Sequence, residues 1–514
     1  MSNFFKNPDI EKVIVLLVLI AYLIFQFPFL RMDLWNDEIY TLKYFTLVSP
    51  LTTVTDYHAP NNHILFNLIN NFFLRMIGEK SVYTIMEHTW VLRIVSLLYS
   101  FGAVFFTFKL AEKISSRATA ILSIVFLCSS VPFYNYAVEI RGYSLSIFLL
   151  TAISYYLFCY LESPLRKLVF ILIILIAASI YTIPLNLYPV ISMCVFLFLI
   201  LVVSIAFSKI EKANSEWILY RKKSIVLIGG FISGVLLSLL LYAGIYKQVF
   251  YNEYVIPDAE FSHEKWIALI KEVFVFFFSY RYWILPLLCV GLGIKMFLMI
   301  TKKGQTEFIF FIFLLCMLLV PFAISYARKD APPDRTFINL IPFFAMLMAW
   351  LADGIFTLIT DRKLRIVLLL CIGAYCFVNL QIEMNKVDDH MLNDIRTSGR
   401  SHNLYYNYYL AHFKPLSVVK KFNESVYKNG DFVVIHDSEP HDLPEYLAKY
   451  NIPFHDFSLV DSVLKSREKV YLFSRYPGEI ESNSFLTLHQ CNVRLISDEI
   501  SYHNVLELER IKNH

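Results

Sequence analysis

Two carboxylates stand side by side in the run Leu34-Trp35-Asn36-Asp37-Glu38-Ile39-Tyr40. Adjacent positions on a helix point about 100° apart, so Asp37 and Glu38 can take different tasks, while Asp33 and Asp37, four apart, share a face. One carboxylate of such a pair can take a proton from a hydroxyl while the other holds a sugar or a metal. Acidic residues are also favoured at any helix N-terminus by the dipole, so both readings stay open at this point. Next comes Asp56-Tyr57-His58-Ala59-Pro60-Asn61-Asn62-His63, with two histidines five apart. That is not a zincin spacing and defines no metal site, although both imidazoles can bind sugar or phosphate. Glu139-Ile140-Arg141-Gly142-Tyr143 sets a guanidinium beside a carboxylate. It is either an ion pair tying two helices or a fork for a phosphate oxyanion. Arg328, Lys329, Asp330, Asp334 and Arg335 follow, ahead of Pro342, where the plain reading is a loop with a snorkelling Arg.

The elements that carry these residues are read from apolar runs. The chain has 514 residues, 57% apolar and 17% charged, with 46 Phe and 33 Tyr. A mean hydropathy of +0.54 excludes a disordered or nucleic-acid-binding chain and argues against a single soluble domain. The charge is unevenly spread: residues 383–514 carry 34 charged side chains in 132 residues, about 26%, against about 14% over 1–382. A bilayer core needs about 20 apolar residues per helix. Runs of that kind fall at about 13–30, 91–111, 118–137, 143–161, 167–183, 185–207, 224–246, 282–300, 307–326, 336–358 and 364–382, which predicts about 11 transmembrane helices. The stretch 62–89 is interrupted by Asn and charged residues and reads as helices lying in the interface or packed on the bundle.

Short loops set the orientation. Lys113, Arg117, Arg166, Lys167, Lys209, Lys212, Arg221, Lys222, Lys223, Lys302, Lys303, Arg362, Lys363 and Arg365 fall on one side; Asp33, Asp37, Glu38, Asp56, Glu139, Glu253, Asp258, Glu260, Asp330 and Asp334 fall on the other. The expectation is a multi-pass cell-membrane protein with a cytoplasmic N-terminus, an external loop over 31–89 and residues 383–514 outside. Seven of the eight cysteines lie in apolar runs, which leaves Cys491 alone in the last quarter and no disulfide framework there. Strands are predicted over 431–436, 469–474, 493–496 and 504–508, with a helix over 444–450, as in a small α/β domain. Tyr405, Tyr406, Tyr408 and Tyr409 precede it as interfacial aromatics. Charges at span ends are functional candidates by default, and the four motifs above share one side of the membrane.

The order of these pieces resembles the GT-C superfamily of integral membrane glycosyltransferases. The closest likeness is to the bacterial branch related to protein O-mannosyltransferases and lipid A aminoarabinose transferases. Its acidic pair in the first external loop is matched by Asp37-Glu38, and its His-Pro-Pro-like loop by His58-Ala59-Pro60, where Ala59 departs from the usual Pro. Its "Gly-x-Ser…Leu-Arg" run is matched by Gly78-Glu79-Lys80-Ser81 and Leu92-Arg93, its "Glu-Ala-Arg-x-Tyr" mouth by Glu139-Ile140-Arg141-Gly142-Tyr143, and its late "Arg…Pro" by Arg335 and Pro342. The motifs are short and degenerate, but five in order over about 30–350 are fairly specific.

The resemblance implies a GT-C-like catalytic module over 1–382 and a small extracytoplasmic α/β domain over 383–514. It implies a hexosyl- or pentosyltransferase of the cell envelope, mannosyltransferase-like. Such an enzyme takes a sugar from a polyprenyl-phosphate donor to a hydroxyl of a glycan, lipid or protein acceptor, with inversion and with no nucleic acid involved. Asp37 and Glu38 are then the catalytic residues. His58, His63, Glu139, Arg141, Tyr143, Arg328 and Arg335 bind substrate. No cofactor is certain; a divalent metal has Glu38, His58 and His63 as candidate ligands. A lipid or polysaccharide transporter is the rival class, but it more often buries charges mid-span, and these spans carry almost none at their centres. A glycan ligase or polymerase is the nearer alternative, told apart by a donor that carries many sugars.

Overall fold

The protein is described from a computed structural model over residues 9–210, 215–252, 261–278, 285–302, 305–330, 332, 334–397, 415–436, 443–466, 469–474, 491–496 and 504–510. It is a polytopic α-helical membrane protein with a C-terminal α/β domain. Eight described helices are long and apolar enough to cross a bilayer: Ile10–Arg31, Trp90–Ile114, Tyr143–Glu162, Pro184–Ile205, Trp217–Leu241, Thr306–Arg328, Arg335–Phe356 and Arg362–Ile382. Two further expected spans are the helices Arg166–Thr182 and Leu285–Lys302. The run 118–137 differs from expectation, since it forms two helices, Arg117–Cys128 and Val131–Tyr136. Ser130 is extended (φ −83°, ψ 124°) and Pro132 enters the first turn of the second helix, where its missing N–H leaves no bond unmade. Hydropathy alone does not show such a break.

The chain divides into two compact units: Met1–Phe27, Val48–Phe72 and Leu92–Gln381 in one, Pro28–Leu47, Phe73–Val91 and Ile382–His514 in the other. In the first, the helix Arg117–Cys128 is buried from Thr119 to Cys128 and packs on Ile341–Phe356. Ile341–Phe356 also meets Leu285–Lys302, at two glycines. A Cβ on Gly291 would fall 2.0 Å from the Leu351 carbonyl oxygen, and one on Gly354 would fall 2.7 Å from that of Gly291. Close backbone approach of this kind is what small residues permit between membrane helices.

Beside that contact Lys295, only 1% exposed, binds Asp353 at 2.9 Å and Glu307 at 3.2 Å, and the Trp350 indole N–H donates to Glu307 at 3.2 Å. So the apolar runs do hold buried charge, contrary to expectation. Lys295 and Asp353 were visible within 282–300 and 336–358, but only the fold pairs them. A cavity of about 660 Å³ borders this network, and its cations are already engaged: Arg117 binds Glu11 at 2.8 Å and Glu112 at 2.7 Å, and Arg362 lies 3.8 Å from Glu11. A second cavity, about 440 Å³ and nearly all apolar, is lined by Phe277, Phe278, Leu288, Phe344, Met348 and Cys376 among others.

In the second unit a five-stranded sheet has the order β2-β1-β3-β5-β4, with β1 Val433–His436, β2 His455–Asp456, β3 Lys469–Ser474, β4 Cys491–Leu495 and β5 Asn504–Arg510. β1 runs parallel to β2 and β3, and β5 runs antiparallel to β3 and β4. Val434, Val460, Leu464, Val470, Leu472, Leu506 and Leu508 form its core, as the alternating apolar positions require. The four expected strands and the helix, here Leu443–Lys449, are present; the two-residue β2 is additional. Tyr405, Tyr406, Tyr408 and Tyr409, the acidic residues Glu253, Asp258 and Glu260, and Lys212 and Lys303 lie outside the described residues.

Candidate active site

In the first unit the site is a loop, 137–142, held between the helices Val131–Tyr136 and Tyr143–Glu162. Its backbone is fixed from Trp90–Ile114. Arg93, fully buried, donates to the Val138 carbonyl at 3.3 Å, and Ser96 Oγ donates to that of Glu139 at 2.6 Å. Buried carbonyls must be satisfied, so these bonds fix where the loop side chains start. Glu139 and Arg141 are 2% and 3% exposed. Arg141 Nη2 donates to Asn61 Oδ1 at 3.3 Å, and its guanidinium stands 5.3 Å from the centroid of the Tyr143 ring.

His63 reaches the same loop. Its Nδ1 accepts from the Gly142 N–H at 2.8 Å, which assigns the neutral tautomer with the proton on Nε2. A Cβ on residue 142 would lie 2.8 Å from His63 Cβ, so glycine is required for this approach. The imidazole meets the Tyr143 ring edge-on at 5.2 Å, and Tyr143 meets Tyr136 at 4.9 Å. Burial, then the nearby charges of Arg141 and Arg335, hold His63 well below the ordinary imidazole value. It is neutral at pH 7. The segment before it is braced by Asn62, whose amide donates to the carbonyls of Thr53 at 2.9 Å and Asp56 at 2.6 Å and whose oxygen accepts from Asn67 at 3.0 Å.

Arg335, half-buried, sits in the 3-10 turn Asp334–Leu340. That turn is anchored through Asn339, which donates to Asn186 Oδ1 at 2.9 Å. Asn186 Oδ1 also accepts from Ser146 Oγ at 2.8 Å, and its amide donates to the Ser179 carbonyl at 2.8 Å. Asn186 is fully buried in the Pro184–Asn186 break and ties the turn of Arg335 to the helix that begins with Tyr143. Sequence reading missed Asn186, whose only signal was an amide in an otherwise apolar run.

The first unit thus brings together His63, Glu139, Arg141, Tyr143 and Arg335. Arg328 stays at its helix end, 4.0 Å from Asp330 and 5.9 Å from the Tyr188 ring centroid. His58 is exposed, with Nδ1 2.7 Å from Asp56 Oδ1. Among the described residues no three His, Cys, Asp or Glu side chains gather as a metal-ligand set, and the Nδ1 atoms of His58 and His63 are both engaged as above.

The acidic pair belongs to the second unit. Glu38 is fully buried and its Oε2 accepts from the Trp35 N–H at 3.3 Å, closing the start of the helix Asn36–Thr41. Asp37 is half-buried. The two neighbours are therefore set apart, one turned inward as a helix cap, the other partly open to solvent. Asp33 does not continue that helix; its Oδ2 accepts from the Leu416 N–H at 2.9 Å, at the start of the helix Pro415–Ser425.

No family model and no curated protein matches the chain. Among solved structures, the fold is similar to ArnT from Cupriavidus metallidurans bound to undecaprenyl phosphate, with 9% identity, 98% of each chain covered and a TM-score of 0.48. It is also similar to the Archaeoglobus fulgidus oligosaccharyltransferase in the apo form, with 11% identity, 87% of this chain and 65% of that one covered and a TM-score of 0.47. AglB from the same organism, in complex with an inhibitory peptide and a dolichol-phosphate, gives 11% identity, 95% and 71% coverage and a TM-score of 0.43. The likeness is one of chain plan; the reading of function rests on the residues above.

Proposed function

We propose that the protein is a glycosyltransferase that moves a sugar from a polyprenyl-phosphate donor to a hydroxyl acceptor on the outer face of the membrane, with inversion. The observation that carries this reading is the setting of Arg141 and Arg335 about a buried, neutral His63. Two guanidinium groups outnumber the one carboxylate of Glu139, and beside an imidazole that stays uncharged they leave one net positive charge, the complement of a phosphate. The motif order in which Asp37-Glu38, the His63 loop, the Glu139–Tyr143 mouth and Arg335 succeed one another supports the same class.

In the proposed step the acceptor oxygen attacks the anomeric carbon as its proton passes to the Asp37 carboxylate. The bond from that carbon to the phosphate oxygen breaks, and the electron pair leaves with the lipid phosphate. Charge grows on that phosphate in the transition state, where Arg141 and Arg335 stabilise it. Glu38 fixes the helix that presents Asp37. His63 supplies an Nε2–H donor to sugar or phosphate without adding charge, and Tyr143 offers an aromatic face. The isoprenoid chain lies in the apolar cavity of about 440 Å³. The outer-facing orientation follows from the loop cations, which puts residues 383–514 outside the cell membrane.

The test pairs two measurements. Mass spectrometry of lipid-linked sugars and envelope polymers in a deletion strain is expected to show one polyprenyl-phosphate sugar accumulating, and unchanged envelope sugars count against the reading. With that fraction as donor, Asp37→Asn is expected to lower transfer by about 10²–10⁴ while expression and donor binding persist. An active Asn variant removes Asp37 from the role.

A further inference from the structure

We propose that the C-terminal α/β domain sets the acidic helix in its working position, with Tyr446 as the positioning residue. This rests on the transferase reading above and assigns that domain a part in the reaction.

The helix Asn36–Thr41 runs straight on into a π-helical segment, Leu42–Thr46. Isolated helices shorter than about 12 residues are marginal in water, so this short stretch takes its geometry from what packs against it. What holds it comes from residues about 400 positions later. The Tyr446 hydroxyl is fully buried, donates to the Leu34 carbonyl at 2.9 Å and accepts from the Leu34 N–H at 2.9 Å. A phenol has one hydrogen to give and lone pairs to receive, and here both functions are spent on one backbone residue, three positions before Asp37. Asp33, one residue earlier, binds the Leu416 N–H at 2.9 Å. Behind the acidic pair, Lys43 forms an ion pair with Glu445, the neighbour of Tyr446. Lys449, one turn further along that helix, binds Glu87 at 2.7 Å and the Tyr83 carbonyl at 3.1 Å.

The ties fall on both sides of Asp37-Glu38, and the two nearest the helix start are made to backbone or by a buried group. A plain packing contact needs apolar surface only, which Leu34, Trp35 and Ile39 already supply. The Tyr446 hydroxyl adds a fixed position along the chain, because bonding both the N–H and the C=O of one residue permits no register shift. For a base that must meet a hydroxyl as it attacks, displacement by about 1 Å costs about 10²-fold in rate.

The test uses the full-length protein in nanodiscs, with the lipid-linked sugar fraction from the deletion strain as donor and envelope of that strain as acceptor. Tyr446→Phe keeps the ring and removes the hydroxyl. It is expected to lower kcat about 30- to 100-fold with donor KM within twofold. Amide hydrogen exchange over residues 34–41 is expected to accelerate about tenfold. Asp33→Asn, which weakens the second tie and leaves the sheet untouched, is expected to shift both readouts the same way by less. Lys469→Met, on β3 at an ion pair with Glu507, is expected to move neither. Unchanged exchange in Tyr446→Phe and Asp33→Asn overturns the clamp. Faster exchange with unchanged kcat overturns its part in transfer, as does a rise in KM with kcat unaltered. A wild-type protein that transfers nothing overturns the transferase reading itself, and the exchange measurement, made on the protein alone, tells that failure from the others.

Discussion

The cationic mouth and the acidic helix are built by different means. The 137–142 loop is fixed inside its own unit by Arg93, Ser96 and His63, each bonded to its backbone over less than 80 residues of chain. The acidic helix draws its support from the last quarter of the sequence, through Tyr446, Glu445 and Leu416. The difference teaches that charges of opposite sign need opposite mounting. A buried guanidinium near apolar spans needs a rigid polar socket, because any unmade bond there is expensive. A carboxylate at a water-accessible edge is cheap to place and hard to hold still.

Several changes break or sharpen this contrast, the largest first. Lys295→Met leaves Asp353 and Glu307 without their shared cation, and removing one partner of a buried pair is expected to cost about 3–5 kcal/mol of stability, read as a lower melting temperature in detergent. Its effect on kcat in the surviving folded fraction should be small, which separates a structural cluster of charge from the mouth. Arg141→Met is expected to do the reverse, with a transfer rate lower by about 10²–10³ and stability less affected. Equal transfer by this variant and the wild type would remove Arg141 from the phosphate. Gly142→Ala drives a methyl into His63 and is expected to cost about 1–3 kcal/mol, with His63 displaced from the mouth. Asn186→Leu strands the donors of Ser146 and Asn339 and is expected to cost about 1–3 kcal/mol, with reduced transfer as the turn of Arg335 loosens.

The smallest effect is one of pH. The unfolded chain protonates His63 near its ordinary value of 6.5, whereas the folded imidazole resists protonation. Stability is therefore expected to fall as pH drops below about 6.5, by up to about 1.4 kcal/mol per pH unit, and to hold steady above it. Melting curves between pH 7.5 and pH 5 check this, and a His63→Asn variant should lose that share of the slope.

Much of this was legible before any coordinates. The apolar runs, the five strand and helix assignments of the last quarter, and the motifs at Asp37-Glu38, His63, Glu139–Tyr143 and Arg335 all come from local pattern. Local pattern has limits that these residues illustrate. Glu38 and Asp37 look equivalent in sequence, and the structure sets them apart by the burial of Glu38 and its bond from the Trp35 N–H. Lys295, Asp353 and Glu307 lie in three different runs, so their mutual compensation is a property of helix packing. Asn186 and Tyr446 act by bonds to chain 153 and 412 residues distant, which no spacing rule encodes. Ser129-Ser130 ends a helix within a run whose hydropathy stays high, because hydropathy averages over the very residues that turn the chain.

The contact at Gly291 and Gly354 has a mechanical consequence. With a carbonyl oxygen where any larger side chain would project, and a lysine fastened across the same two helices, this seam is held both by close backbone approach and by charge. Leu288 and Phe344, Met348 and Ala352 on those helices also line the apolar cavity. The cavity is thus braced on that side, and any widening of it falls to the other walls.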